Sequence, residues 1–378
     1  MSIWRVGRGT GVASAAVGVL AAGAAAGFAA QRVASRRRVR AVDQAGGDGE
    51  AYGSLHGSPR TVVADDGARL HVEVEGDDAT RPTLVFVHGY ALTSDCWHFQ
   101  RRDLRDVGRL VFYDQRSHGR SGDGIPGSRT LEQLGTDLGR VLDEVAPKGP
   151  VVLVGHSMGG MTVMSLAERR PDLFGSRVVG VALLSTSAGK LAEAMLGVPV
   201  AAARLLHRAA PRVLATLARR GELVDAGRRL GGDLGFLFTR RYSFASDVSP
   251  ELVDFTARMI EGTPIDVIAD YFPAFSAHDK LHCLDVLNGV ETLILAGEDD
   301  LMTPADHSRE MITHVREAEL VIVPQSGHMV ILEHPDVVNG HLRDLVQRAC
   351  PGGGRGSSPR GSRGRGRGRG RAGRGSRA

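Results

Sequence analysis

Cysteine is scarce. The chain of 378 residues has three, Cys96, Cys283 and Cys350, odd in number, far apart and without a C-x-x-C pair. That pattern supports neither a structural zinc site nor a disulfide framework, and a reducing compartment is its simplest context. Acid is missing from both ends. Residues 1–40 hold seven arginines and residues 351–378 hold nine, with no Asp or Glu in either stretch. Between them 31 basic residues face all 43 acidic ones, so a net charge of +4 conceals a body at −12. An acidic body gives no support to nucleic acid as the main ligand. Long, strongly apolar runs are missing as well. The 20 uncharged residues at 11–30 include 14 Ala or Gly.

Weak as it is, that run is long enough to cross a hydrocarbon core of about 30 Å as a helix. Arg5 and Arg8 precede it, while Arg32, Arg36, Arg37, Arg38 and Arg40 follow it. The heavier positive flank predicts a single membrane anchor over residues 1–40 with the body on the cytoplasmic side. The rival is a secretory signal cleaved at the small residues 24–30, which five arginines just beyond would oppose. Residues 41–59 read as a linker. From Pro351 the chain turns into an Arg/Gly repeat almost free of apolar side chains, predicted to be disordered. Such a tail can bind anionic lipid or RNA weakly.

What the middle does have is strands. Residues 61–63 and 70–74 flank Asp65-Asp66-Gly67 as a hairpin. Apolar runs follow at 83–87, 109–113, 151–154, 177–184, 292–296 and 320–323, making eight strands. From the third onward they alternate with helical patterns, such as the face of Leu131, Leu134, Leu138, Val141, Leu142 and Val145 behind a capping box at Thr130. The expectation is an α/β fold, an eight-stranded mostly parallel sheet with helices on both faces, formed by residues 60–188 and 289–350. The alternation lapses over 189–288, which is Ala-, Leu- and Arg-rich and broken by Pro199, Pro211, Pro250 and Pro264. That segment predicts an inserted helical cap over the C-terminal sheet edge, where open parallel sheets bind ligands.

The fifth strand runs directly into Gly155-His156-Ser157-Met158-Gly159-Gly160. Strand, G-x-S-x-G and helix together describe a nucleophile elbow, with Ser157 at a helix N-terminus. A serine hydroxyl needs a base, and the base needs an acid to fix its tautomer. In this arrangement the order is Ser, acid, His. Gly297-Glu298-Asp299-Asp300 and Gln325-Ser326-Gly327-His328 each follow a later strand, which nominates His328 as base and Asp300 as acid, with Asp299 a close competitor. The loop after the sixth strand, residues 185–189, contains no acid. The oxyanion donors would be the backbone amides of Met158, after the nucleophile, and Tyr90, after the third strand. Trp97, Phe99, Tyr271, Phe272 and Phe275 are candidate substrate-pocket walls.

From about residue 61 to 348 the chain resembles the α/β-hydrolase superfamily. His88-Gly89, Asp114-x-Arg116-x-x-Gly119-x-Ser121, the Gly155–Gly160 elbow, Gly297-x-x-Asp300 and Gly327-His328 occur in its order. The elbow is similar to that of capped esterases, lipase-like enzymes and cofactor-free haloperoxidases, and the Ala-rich anchor resembles membrane-associated actinobacterial members. Ser157 at the elbow and Ala91 in the first loop set the chain apart from epoxide hydrolases and haloalkane dehalogenases. The resemblance implies a serine hydrolase, without metal or organic cofactor, acting on an ester or thioester of a small to medium apolar acyl group, its partner a small-molecule or lipid substrate. Alternatives on the same residues are a lysophospholipase or monoacylglycerol lipase, a perhydrolase or a C–C hydrolase. A non-catalytic binding or sensor protein is the alternative of another class.

Overall fold

The computed structural model describes residues 50–76, 82–189, 191 and 235–351. The anchor at 1–40, residues 41–49 of the linker, much of the cap at 189–288 and the tail beyond 351 lie outside the described residues. Eight strands form one sheet in the order β1-β2-β4-β3-β5-β6-β7-β8. They are β1 (Ser58–Val63), β2 (Arg69–Glu75), β3 (Thr83–Val87), β4 (Arg109–Tyr113), β5 (Val151–His156), β6 (Val178–Leu184), β7 (Glu291–Gly297) and β8 (Glu319–Val323). The first two strands form the expected hairpin, closed at Gly67 with φ of 88°. β2 joins β4 antiparallel, and every later pairing is parallel.

The strand period divides the core. Val85, Val87, Val111, Leu153 and Leu183 face one layer, and Leu84, Phe86, Phe112, Val152 and Val154 face the other. On the first side lie α2 (Leu131–Val145) and α3 (Met158–Arg169), through Leu138, Val141, Leu142, Val163 and Leu166. On the second lie Leu104, just after α1 (His98–Asp103), α7 (Val330–Glu333) and α8 (Pro335–Ala349), the last through Val338, Leu342 and Leu345. Burial of both faces explains why the central strands carry unbroken apolar runs. Thr130 caps α2 by accepting from the Gln133 N–H. Gln133 turns its side chain to Asp137 instead of back to Thr130, so half of the capping box forms.

Of the cap, 235–243 is helical and two full helices follow, α4 (Pro250–Gly262) and α5 (Ile265–Ala277). Ser249 caps α4 and Pro250 opens it, as its missing N–H permits at a first turn. α4 packs Leu252, Val253, Phe255 and Met259 into the second layer. α5 packs Val267, Tyr271 and Phe275 against Leu131, Leu134, Met158 and Met161, above the C-terminal ends of the strands. α6 (Ala305–Met311) lies between β7 and β8 in the chain. No described helix is long and apolar enough to cross a membrane.

Candidate active site

β5 turns into α3 at Ser157, whose φ of 54° and ψ of −119° are strained for a residue with a side chain. The turn closes because its flanks are glycine. A Cβ on Gly159 would lie 2.0 Å from the Val87 carbonyl oxygen, and one on Gly155 2.6 Å from the Gly159 oxygen. Ser157 Oγ lies 2.9 Å from His328 Nε2, and His328 Nδ1 lies 2.9 Å from Asp300 Oδ2. Three side chains from three strand ends, 28 and 171 residues from the histidine, are thus strung in one line.

Asp300 is buried and Asp299 exposed, which separates the two competitors. Asp300 Oδ1 accepts the amides of Met302 and Thr303 at 2.8 and 2.9 Å, and Oδ2 also accepts Thr303 Oγ1 at 2.8 Å. Burial pushes its carboxyl up, but the neighbouring His328 and the Thr303 donors outweigh that and hold it below the usual carboxylate value. The carboxylate is therefore ionised and fixed, as an acceptor for the His328 Nδ1–H requires. Sequence reasoning missed Thr303. An Asp followed three residues later by Thr is the local pattern that could have marked it.

The His328 loop is tethered on both sides. His156 Nε2–H donates to the His328 carbonyl at 2.9 Å, and the Gly327 amide donates to Glu333 at 2.6 Å. Glu333 also accepts the Ala245 amide at 2.8 Å, joining this loop to the cap. Burial, aided by the adjacent His328, depresses the His156 imidazole to about 3, so it is a neutral donor. Neither His156 nor Glu333 was singled out from the sequence, because each acts through backbone groups that leave no pattern.

The loop after β3 abuts the nucleophile, since a Cβ on Gly89 would meet Ser157 Cβ at 3.1 Å. His88 holds it there. Its Nε2 accepts the Gln115 amide at 2.8 Å, so Nδ1 carries the proton and donates to the Gly89 carbonyl at 2.7 Å. Gln115 returns a bond to the His88 carbonyl and accepts Thr162 Oγ1 at 2.8 Å. Burial pushes the His88 imidazole below its ordinary value, and it stays neutral. Among the described hydrogen bonds neither the Tyr90 nor the Met158 N–H donates to a protein acceptor. Ala91 follows with φ of 55°, a conformation that proline, fixed near −65°, could not adopt.

A cavity of about 60 Å³ reaches Ser157 and His328, lined by Tyr90, Met161, Leu191, Phe272, Phe275, Met302 and Thr303. Phe272 and Phe275 are the two expected aromatic walls that the structure places there. Trp97, Phe99 and Tyr271 are corrections. Trp97 is fully buried in the second core layer against Phe86, and Phe99 packs on Tyr52 and under the Arg102 guanidinium. Tyr271 is fully buried on α5, with its hydroxyl toward the Arg116 carbonyl and its ring beside His118. Core and pocket aromatics look alike in a sequence. Among the described residues no cluster of three or more His, Cys, Asp or Glu could hold a metal ion.

The chain is similar to several known proteins. It is 28% identical over 264 residues to the mouse sn-1-specific diacylglycerol lipase ABHD11, covering 68% of this chain and 78% of that one. A non-heme haloperoxidase of Rhodococcus erythropolis is 28% identical over 297 residues, 76% of this chain and 98% of the relative. Among solved structures, a thermophilic esterase from Thermogutta terrifontis superposes with a TM-score of 0.62 at 24% identity, over 77% of this chain and 99% of the esterase. The model of the Alpha/beta hydrolase family matches residues 84–341, a span that takes in all but the first residue of β3, the elbow at Ser157 and the loops of Asp300 and His328. By that match, and by the sheet order that places those three loops on one edge, the chain belongs to the alpha/beta hydrolase family.

Proposed function

We propose that this protein is a serine hydrolase that cleaves esters or thioesters of a small to medium apolar acyl group. The observation that carries the reading is the line Ser157 Oγ, His328 Nε2, His328 Nδ1, Asp300 Oδ2, with 2.9 Å at each end. His328 takes the Ser157 proton as Oγ attacks the acyl carbonyl, and Asp300 stabilises the imidazolium that forms. The amides of Tyr90 and Met158 receive the oxyanion. His328 then protonates the leaving alkoxide or thiolate, and the acyl group stays on Ser157. Water, deprotonated by the same imidazole, attacks that acyl-enzyme, and the acid departs with Ser157 restored.

The cavity lining supports an apolar acyl group, since Met161, Leu191, Phe272, Phe275 and Met302 surround the approach to Ser157 and His328. Fluorophosphonate labelling of wild type and Ser157→Ala, followed by turnover of p-nitrophenyl esters from two to sixteen carbons, tests the reading. Labelling confined to the wild type and a clear chain-length optimum is the expected result. A well-folded wild type that neither labels nor turns over any ester would sink it.

For location, we propose that residues 11–30 anchor the protein in a membrane with the catalytic body on the arginine-rich side. Twenty uncharged residues ahead of five arginines support this. Recovery of full-length protein in the washed membrane fraction, and of a chain lacking residues 1–40 in the supernatant, is the expected outcome.

A further inference from the structure

Tyr90 is attached at both of its ends to different parts of the site. Its backbone belongs to the loop that abuts Ser157, while its hydroxyl donates to the Ile268 carbonyl of α5 at 2.6 Å. Its ring also meets Phe275 of the same helix edge-on, with centroids 4.9 Å apart. α5 carries Phe272 and Phe275, two walls of the cavity. Within the helix Pro273 supplies no N–H for the Ala269 carbonyl. Next to Tyr90, Ala91 is held at φ of 55°, a left-handed conformation that persists only where its surroundings enforce it. A second attachment fastens α5 from outside, where Arg129 Nη1 donates to Asp266 at 3.0 Å and to Asp270 at 2.9 Å.

Resting on the hydrolase reading above, we propose that Tyr90 is a positioning residue that couples the cap to the oxyanion hole. Its hydroxyl latches α5, and its own amide takes up the oxyanion-binding position when α5 is seated over a filled acyl cavity. An acyl group that fills the space under Phe272 and Phe275 holds the helix down, and through Tyr90 it holds the amide in place. Acetyl is too small to do this, so part of the binding energy of a longer acyl group is expressed in kcat instead of in KM. The hydroxyl removes no proton from the substrate. Its burial raises the phenol well above its ordinary value, so it remains a donor.

The test compares p-nitrophenyl acetate and butyrate on wild type, Tyr90→Phe, the pair Asp266→Asn with Asp270→Asn, and their combination, with Tm recorded for each. Displacing one oxyanion donor without removing it is expected to lower kcat for butyrate about tenfold in Tyr90→Phe. KM should stay within about twofold, and kcat for acetate should change by no more than about twofold. The Asp pair, which leaves Tyr90 intact, should lower the butyrate-to-acetate ratio of kcat in the same direction. The combination should be no worse than Tyr90→Phe alone, because both changes release one helix.

A Tyr90→Phe enzyme with wild-type kcat on butyrate, or with equal losses on both esters, overturns the coupling. So does a fall in Tm with the ratio of kcat unchanged, which is what a merely structural tether gives. Should Tyr90→Phe fail to fold, an unchanged ratio in the Asp pair overturns the coupling by itself. A wild type that fluorophosphonate does not label overturns the hydrolase reading, and this inference with it.

Discussion

At the scale of single residues the structure separates neighbours that composition cannot. Asp299 and Asp300 are adjacent carboxylates in one loop, and strand spacing favours neither decisively. Burial and the donors on Asp300 decide between them. Asp300→Asn should therefore lower kcat by about 10⁴-fold, as loss of the acid from a Ser-His-Asp line does. Asp299→Asn, at an exposed side chain whose backbone amide makes the local contact with Ser326, should remain within about twofold of wild type. Steady-state ester hydrolysis on the two purified variants checks this, and the reverse order of losses contradicts it. Ser157 and His328 were legible from the sequence because an elbow and a glycine-flanked histidine each leave a local pattern. His156 and Glu333 were not, because their work is done across 172 and 6 residues on backbone groups that any sequence possesses.

At the scale of elements, the elbow is a fit between β5, α3 and the end of β3. A methyl group at Gly159 would sit 2.0 Å from the Val87 oxygen, backbone that cannot swing aside, whereas one at Gly139 in α2 meets nothing nearer than Leu166 Cδ1 at 3.4 Å. Gly159→Ala should cost more than about 3 kcal/mol and lower Tm steeply, or leave the protein insoluble. Gly139→Ala should be neutral or gain up to about 1 kcal/mol of helix propensity. Equal Tm values for the two variants would contradict the packing account. All eight strands could be placed from apolar runs and turn residues, and so could α2 and α3. The position of β4 between β2 and β3 could not, because strands buried on both faces carry no mark of their neighbours. The same ambiguity put Trp97, Phe99 and Tyr271 in the pocket, since an aromatic near the sheet edge is equally suited to the core.

At the scale of the whole molecule, buried neutral histidines set how the fold responds to acid. Burial takes His118 and His156 down to about 3 and His278 to about 4, against an ordinary value of 6.5. Between those limits the unfolded chain binds protons that the folded chain refuses. Their contribution is therefore complete above pH 6.5 and is lost as the pH falls through that window. Asp95 and Asp137, raised by burial from 3.8, act in the opposite sense. Tm should be level above about pH 7 and decline steadily from pH 6.5 toward 4.5. A Tm at pH 4.5 equal to or above that at pH 7 would contradict this.

The central claim concerns the same assembled whole, a nucleophile, a base and an acid brought from three strand ends to one edge. Fluorophosphonate labelling of the full-length protein beside Ser157→Ala tests it most directly, because the probe reacts with a serine only when its base and oxyanion hole are in place. The account predicts one labelled serine in the wild type, none in the variant, and equal Tm for both. A folded wild type that stays unlabelled, or a Ser157→Ala variant labelled as fast as the wild type, would contradict it.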